Sequence, residues 1–347
     1  MSSDGRTRVT GEDGAQPERP ANAVVFAPSP LLTVTIECKG DQPDIHLHPG
    51  GQGFWFARMI AALGLPVTLC GSFGGETGAV VRTLMEHSGV AVRGVDADAG
   101  NAAYVHDRRS GERVAVAQVR PAPLSRHDVD ELYAMTLVEG LDAAVCVLGG
   151  PAAPDVLPPD TYRRLASDLS RSGRLVVADL SGEPLHAALK GGLSVLKISH
   201  EELLAEGLLA ADRTDEIIET MRSLQRSGAQ RVVVSHGNQP ALALNSDNSA
   251  VEIVSPRVEP VDVRGAGDAM TAGLAAALAR GYTWEAALRL GAAAGTLNVT
   301  RRGLATGTRR EIERLATHVR LRPPGAHAEQ PPPTTVPNAI PAPARPS

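Results

Sequence analysis

The chain has 347 residues, enough for one large α/β domain or two ordinary ones, and its 43% hydrophobic content suits a protein with a buried core. Lys and Arg number 34 against 39 Asp and Glu, a net charge of −5, so there is no basic surplus of the kind that grips nucleic acid. The polar N-terminus has no apolar leader, no apolar run is long enough to span a bilayer, and Cys38, Cys70 and Cys146 are too scattered for a zinc site or a redox pair. A soluble, reducing, cytoplasmic setting is expected, with no nucleic-acid or membrane partner and with all three cysteines as buried thiols.

Residues 1–22 are rich in Gly, Asp, Arg, Pro and Ser, show no apolar period, and are expected to be disordered. The apolar run 23–26 reads as a first buried strand. Segments 33–38 and 44–48 then alternate apolar and polar residues, as strands do. A helix is expected over 53–63, a strand over 67–70 and a helix over 76–88 that ends at Gly89. Alternation returns at 102–107 and 113–119, joined by the turn Arg109-Ser110-Gly111-Glu112. Strands at 143–148 and 175–179 flank an amphipathic helix at 159–172. Strands at 195–198 and 231–235 flank a helix at 214–227 that Gly228 stops. Helices at 267–280 and 283–296 follow, separated by Gly281-Tyr282, and residues 322–347 form a proline-rich tail.

Strands alternating with helices of this length imply a mostly parallel sheet with helices on both faces. The body, 23–321, reads as one domain. The alternating segments within 33–48 and 101–119 break that rhythm and read as a small β-sheet lid.

Val263-Arg264-Gly265-Ala266-Gly267-Asp268-Ala269-Met270-Thr271-Ala272-Gly273 is the most informative stretch. It reads as a glycine turn opening directly into a helix. A helix start offers free N–H groups and the positive end of the peptide dipole, so it suits an anion. Asp268 at the same mouth would repel that anion. A carboxylate there makes sense if it takes a proton from a hydroxyl that attacks a phosphoryl group. Taken alone, the tetrapeptide also fits a plain helix start with Asp268 as a first-turn acid. A dinucleotide fold is rejected, because the first strand runs into Pro28-Ser29-Pro30 rather than a Gly-x-Gly-x-x-Gly turn. His46 and His48 read as surface or interface histidines rather than a metal pair.

Several landmarks, in order, resemble the ribokinase-like carbohydrate kinases, the PfkB family. His48-Pro49-Gly50-Gly51-Gln52-Gly53 with Ala57-Arg58 resembles the first glycine signature. Gly74-Gly75-Glu76-Thr77-Gly78, Asp179-Leu180-Ser181-Gly182-Glu183 and Lys197-Ile198-Ser199-His200-Glu201-Glu202 continue it. Val232-Val233-Val234-Ser235-His236-Gly237 and Gly265-Ala266-Gly267-Asp268 complete the set. The branch most resembled is that of 1-phosphofructokinase and tagatose-6-phosphate kinase.

The resemblance implies a ribokinase-like three-layer α/β sandwich with a β lid, and transfer of the γ-phosphoryl of ATP to a hydroxyl with Mg²⁺. It makes Asp268 the base and gives the amides of Gly265, Ala266 and Gly267 the transferring group. Lys197, Ser199, Ser235 and Gly237 fall on the ATP side. Glu202 would act through metal-bound water, with Ser199 in place of the family's Asn; a solvated helix charge is the alternative. Thr33, Gly50, Gly51, Gln52, Trp55 and Asp268 fall at the acceptor. A homodimer through the lid is also implied.

The acceptor half departs from the pattern. Thr33 stands where relatives carry the Asp that grips sugar hydroxyls, Gln52 replaces a Lys and Trp55 an Asn. Ala102-Ala103 aligns with a Thr-Arg pair that holds the substrate phosphate. Three readings follow: a kinase for an acceptor unlike fructose phosphates, a sugar-phosphate kinase with replacement ligands among Arg58, Arg108, Arg109 and Arg264, or a binding protein without catalysis. Phe54 and Phe56 are expected to be buried in either case.

Overall fold

The computed structural model describes residues 21–301 and 303–325. The chain opens with β1 (Ala23–Ala27), then leaves the body as an antiparallel hairpin, β2 (Leu31–Lys39) and β3 (Gln42–Gly50). It re-enters through α1 (Gln52–Ala62), β4 (Val67–Phe73), α2 (Gly75–Glu86) and β5 (Ala91–Asp96). A second excursion forms the hairpin β6 (Ala102–Asp107) and β7 (Val114–Val119). Regular alternation follows: α3 (Arg126–Leu141), β8 (Val145–Gly149), α4 (Asp160–Arg171), β9 (Leu175–Asp179), α5 (Gly182–Gly191) and β10 (Val195–Ser199). Then come α6 (His200–Ala205), α7 (Thr214–Arg226) and β11 (Val232–Ser235). The hairpin β12 (Ala241–Leu244) and β13 (Ala250–Val254) precedes α8 (Ala266–Ala279), α9 (Trp284–Val299), α10 (Arg309–Ala316) and β14 (Arg320–Arg322).

The large sheet has the order β14-β13-β12-β11-β10-β9-β8-β1-β4-β5, parallel from β5 to β11 and antiparallel beyond. Its central strands are continuous apolar runs because both faces are covered. Val25, Val147, Val177 and Val233 pack into one core with α1, α8 and α9. Val24, Leu148, Val176 and Val234 pack into the other with α3, α4, α5 and α7. From β1 the winding runs to β4 and β5 on one side and to β8–β11 on the other. The carboxyl ends of β1 and β8 therefore flank a topological switch point, where open α/β sheets leave a crevice.

The lid is a four-stranded sheet, β3-β2-β6-β7. Its two hairpins were legible as alternation, but the seam between them, β2 parallel to β6, was not. Ile45, Leu47, Val114, Val116 and Val119 are exposed on it. Cys38 is exposed near the hairpin tip, where no body lies beneath the strand, so the expectation of a buried thiol holds only for Cys70 and Cys146. Phe54 and Phe56 are buried.

Several elements escaped the sequence reading. In α3 the buried residues Val129, Leu132, Tyr133 and Thr136 keep helical spacing, but exposed Val138 and Leu141 blur the stripe. Strands β12, β13 and β14 are too short to show a period. The body also reaches slightly past 23–321: Asn22 accepts from the Ala144 amide at 3.0 Å, and β14 closes at Arg322. Apart from residues 21–22 and 322–325, the two tails lie outside the described residues. Among the described residues no helix is long and apolar enough to cross a membrane.

Asn101 fastens the root of the lid. Its Oδ1 accepts from the Gly74 amide at 2.7 Å, and its Nδ2 donates to Pro30 O at 2.8 Å and Ser72 O at 3.0 Å. Because the side chain is buried, its loss strands three backbone groups without water. Asn101→Leu is expected to lower the unfolding free energy by at least about 2 kcal/mol in urea titration; an unchanged midpoint would show that water reaches this root.

Candidate active site

At the carboxyl ends of the central strands a buried ion pair sets the geometry. Lys197, near the end of β10, places Nζ 3.1 Å from Asp179 Oδ2, at the end of β9. Thr271 on α8 donates its hydroxyl to the same Oδ2 at 2.7 Å. Burial alone would push Lys197 down; the carboxylates of Asp179, Asp268 and Glu202 outweigh it and hold the ammonium above the usual lysine range. Burial pushes Asp179 up, against the pull of Lys197 and Thr271.

Helix α8 begins directly above this pair. Gly265 caps it with φ 69°, a left-handed conformation that glycine adopts without a Cβ penalty. No side chain caps the helix, and among the described residues the amides of Ala266, Gly267 and Asp268 donate to no protein acceptor. A Cβ on Gly267 would sit 2.5 Å from Lys197 Nζ, so this position stays bare for the ammonium to lie against the turn. Asn298 on α9 fixes the turn from behind: its Nδ2 donates to Arg264 O at 2.8 Å and its Oδ1 accepts from Ala305 N at 2.9 Å.

Asp268 is the titratable group of this arrangement. Burial first, then the neighbouring Asp179 charge, raise its carboxyl to about 7, against the pull of Lys197 and a hydrogen bond from Gln52. Gln52, first residue of α1, is itself held by the Gly150 amide, which donates to its Oε1 at 2.7 Å. Glu202 closes a capping box: its Oε2 accepts from the Ser199 amide at 2.8 Å and the Ser199 hydroxyl at 2.7 Å. Beside these groups lies a cleft of about 700 Å³, walled by Gln52, Asp179, Glu183, Glu202 and, from the lid, Leu31 and Tyr104.

The model of the "pfkB family carbohydrate kinase" matches residues 31–310, most of the chain. The chain belongs to the pfkB family of carbohydrate kinases. It is 32% identical over 259 residues to the ATP-dependent 6-phosphofructokinase isozyme 2 of Escherichia coli strain K12, covering 74% of this chain and 82% of that one. It is 30% identical over 255 residues to the 1-phosphofructokinase of Borreliella burgdorferi, covering 71% and 79%. The crystal structure of phosphofructokinase-2 from Escherichia coli in complex with potassium superposes with a TM-score of 0.75 at 27% identity, covering 85% of this chain and 98% of that one.

Within this pfkB-family site, Gln52, Lys197, Glu202, Gly267 and Asp268 come together, with Gly51 in the cleft wall. Ser199 and Ser235 are register partners at the ends of β10 and β11, and Gly237 follows. Gly50 lines a small recess with Gly51 and Gln52, and Thr33 Oγ1 lies 3.2 Å from where a Gly50 Cβ would be. Neither Thr33 nor Trp55 lines the large cleft; Trp55 packs with its ring centroid 5.0 Å from Phe54 and under the Arg58 guanidinium at 6.0 Å. The sequence reading quoted Asp179 without a role and missed Thr271, Asn298 and Tyr104. Asp179 acquires its partners only through contacts across the fold.

The residues fit a bound nucleotide phosphate and its metal on two observations. Unpaired amides at the start of α8 face a protonated lysine, and four neighbouring ionisable groups include three carboxylates. Removing the lysine leaves Asp179 uncompensated in the interior. Lys197→Met is expected to destabilise the fold by roughly 3–5 kcal/mol, and the double variant with Asp179→Leu to recover part of that loss; thermal unfolding of both variants checks the coupling.

Proposed function

We propose that the chain transfers the γ-phosphoryl group of ATP to a hydroxyl of a sugar or sugar-like acceptor, with Asp268 as the base. The observation that carries this reading is the Asp268 carboxyl, raised to about 7 at the mouth of an uncapped helix start. A group titrating there holds the proton-accepting form at neutral pH and can still take up the hydroxyl proton. ATP would supply the phosphoryl group and Mg²⁺ would offset its charge. The amides of Gly265, Ala266 and Gly267, with Lys197 against them, support a transferring phosphoryl group without rearranging, because the fold already fixes them. Ser199, Ser235 and Gly237 serve the nucleotide on the neighbouring strand ends. Glu202, with Oε2 held by Ser199, keeps a carboxylate toward the cleft for a metal-bound water.

The acceptor lies under the lid, in the cleft that Tyr104 and Leu31 roof. Of the substituted positions Gln52 lines that cleft, and the loss of a lysine charge there favours an acceptor unlike fructose phosphates. One observation favours a phosphorylated acceptor instead. Arg113 is lowered by burial and by the charges of Arg264 and Arg108, so three arginines cluster where the lid meets the turn before α8. His106 is lowered by burial and by the same three charges. Arg264 pairs with Asp262, and Arg108 lies 3.7 Å from Glu37, while Arg113 forms no ion pair among the described residues and feels Asp262 only from a distance. The relatives named phosphofructokinases agree with this second reading.

Asp268→Asn is expected to cut kcat by about 10²–10⁴-fold while calorimetry still detects ATP binding. Wild-type kcat should rise with pH and level off above about 7, because only the ionised carboxyl accepts the proton. Unchanged turnover in the variant removes Asp268 from the mechanism. A panel of sugar phosphates, free sugars and nucleosides separates the two acceptor readings. Turnover confined to phosphorylated acceptors, with a raised KM in Arg113→Ala, establishes the arginine cluster as the phosphate site; turnover confined to uncharged acceptors excludes it.

A further inference from the structure

A second cluster of ligating side chains lies beside the nucleotide-side strand ends and has no part in the chemistry above. His200 opens α6, His236 follows β11, and Asp212 sits in the connection between α6 and α7. One ligand atom from each lies within 4.8 Å of the other two. His236 Nε2 is 2.6 Å from Asp212 Oδ1, and the two imidazole rings are 4.4 Å apart at 58°.

The polar accounting of this cluster does not close with protein groups alone. The His200 and His236 side chains are only 14% and 11% exposed. His200 Nδ1 and His236 Nε2 are shut off from solvent, and neither has an aligned hydrogen-bond partner among the described residues. A carboxylate stands near each, Glu201 Oε2 at 3.0 Å from His200 Nδ1 and Asp212 at His236, but neither is in hydrogen-bonding alignment. Buried polar atoms left in this state call for an explanation, and a bound ion is one.

We propose that His200, Asp212 and His236 bind one divalent transition-metal ion, of which Zn²⁺ is the type. Two imidazoles and one carboxylate are a borderline-soft donor set that suits zinc and excludes magnesium, which takes oxygen ligands. Zinc ligands at about 2.0–2.1 Å from the ion stand roughly 3.3 Å apart around a tetrahedron. The separations here, from 2.6 Å up to 4.8 Å, bracket that value, so small side-chain rotations complete the site. Asp212 is 47% exposed and gives the ion its way in, and the fourth position remains for water. The ion ties together the start of α6, the 206–213 connection and the turn after β11. Those segments carry Glu202 and Gly237, so occupancy stiffens the nucleotide side of the fold.

The test uses the full-length, tag-free chain, stripped with a chelator and titrated with Co²⁺ and then Zn²⁺ in excess Mg²⁺. The expected result is about one Co²⁺ per chain, with the visible absorption bands of a four-coordinate site that Zn²⁺ abolishes. His236→Gln and Asp212→Asn should each weaken binding at least about tenfold. Asp212 is exposed, so its variant is expected to fold even if a histidine variant does not. Asp268→Asn should bind the ion as wild type does, which separates failure here from failure of the kinase mechanism. Absence of stoichiometric binding, or binding that survives both Asp212→Asn and His236→Gln, overturns the proposal.

Discussion

The site depends on one buried ion pair, Lys197 with Asp179. Taking two charges out of water costs several kcal/mol per ion, and their attraction repays it only when every remaining polar atom is satisfied. Here the Thr271 hydroxyl supplies part of that satisfaction and binds α8 to the sheet in the same contact. Such a pair is weak support for stability on its own. What it provides is register: β9, β10 and α8 can meet in only one way that leaves neither charge alone. The glycine turn inherits its position from that constraint, because Gly267 must lie bare against the Lys197 ammonium.

The same pair sets the proton inventory. Lys197 faces Asp179, Asp268 and Glu202, one cation against three carboxylates. Negative charges do not gather easily away from water, and burial with the neighbouring charge pushes both Asp179 and Asp268 up. Glu202 is held by its capping box and Asp179 by the lysine and threonine. Asp268 keeps the Gln52 contact and a share of the lysine's field, and its carboxyl is raised to about 7, as burial also raises that of Asp179. A carboxyl near neutrality thus results from the arrangement of its neighbours. Surplus negative charge at the same place is also what a divalent cation offsets.

What could be read from sequence follows the range of the forces involved. The Gly265–Asp268 turn is a local device, since a helix start with free amides is built from adjacent residues, and it was legible. Asp179 was not, because its meaning comes from a lysine 18 residues away and a threonine 92 residues away. The strands of the lid were legible as alternation, yet their parallel seam was not. It is that seam, pairing Thr33 with Tyr104, which sets Tyr104 over the cleft. Trp55 illustrates the opposite case: it stands in the glycine signature that the resemblance ties to the acceptor, while its ring packs on Phe54 outside the walls of the large cleft. The Cys38 thiol shows that an alternating pattern does not guarantee a buried face when the strand overhangs the body.

The lid and the body divide the work unequally. The ion pair, Gln52 and Asp268 are carried by β9, β10, α1 and α8, which are locked by buried polar contacts. The cleft is roofed by two hairpins that join the body at a root where Asn101 grips Pro30, Ser72 and Gly74 and Ser72 donates to Pro28 O at 2.6 Å. Substitutions in the lid therefore change what fits beneath it without disturbing Asp268 or the ion pair. The residues that depart from the pattern the sequence resembles divide between the two: Thr33, Ala102 and Ala103 on the lid strands, Gln52 and Trp55 on α1. Of these Gln52 alone lines the large cleft and acts on Asp268. A buried polar cluster fixed from one side and a cleft walled from the other meet at Gln52, which acts on Asp268 and lines the cleft, so a change there is felt by both.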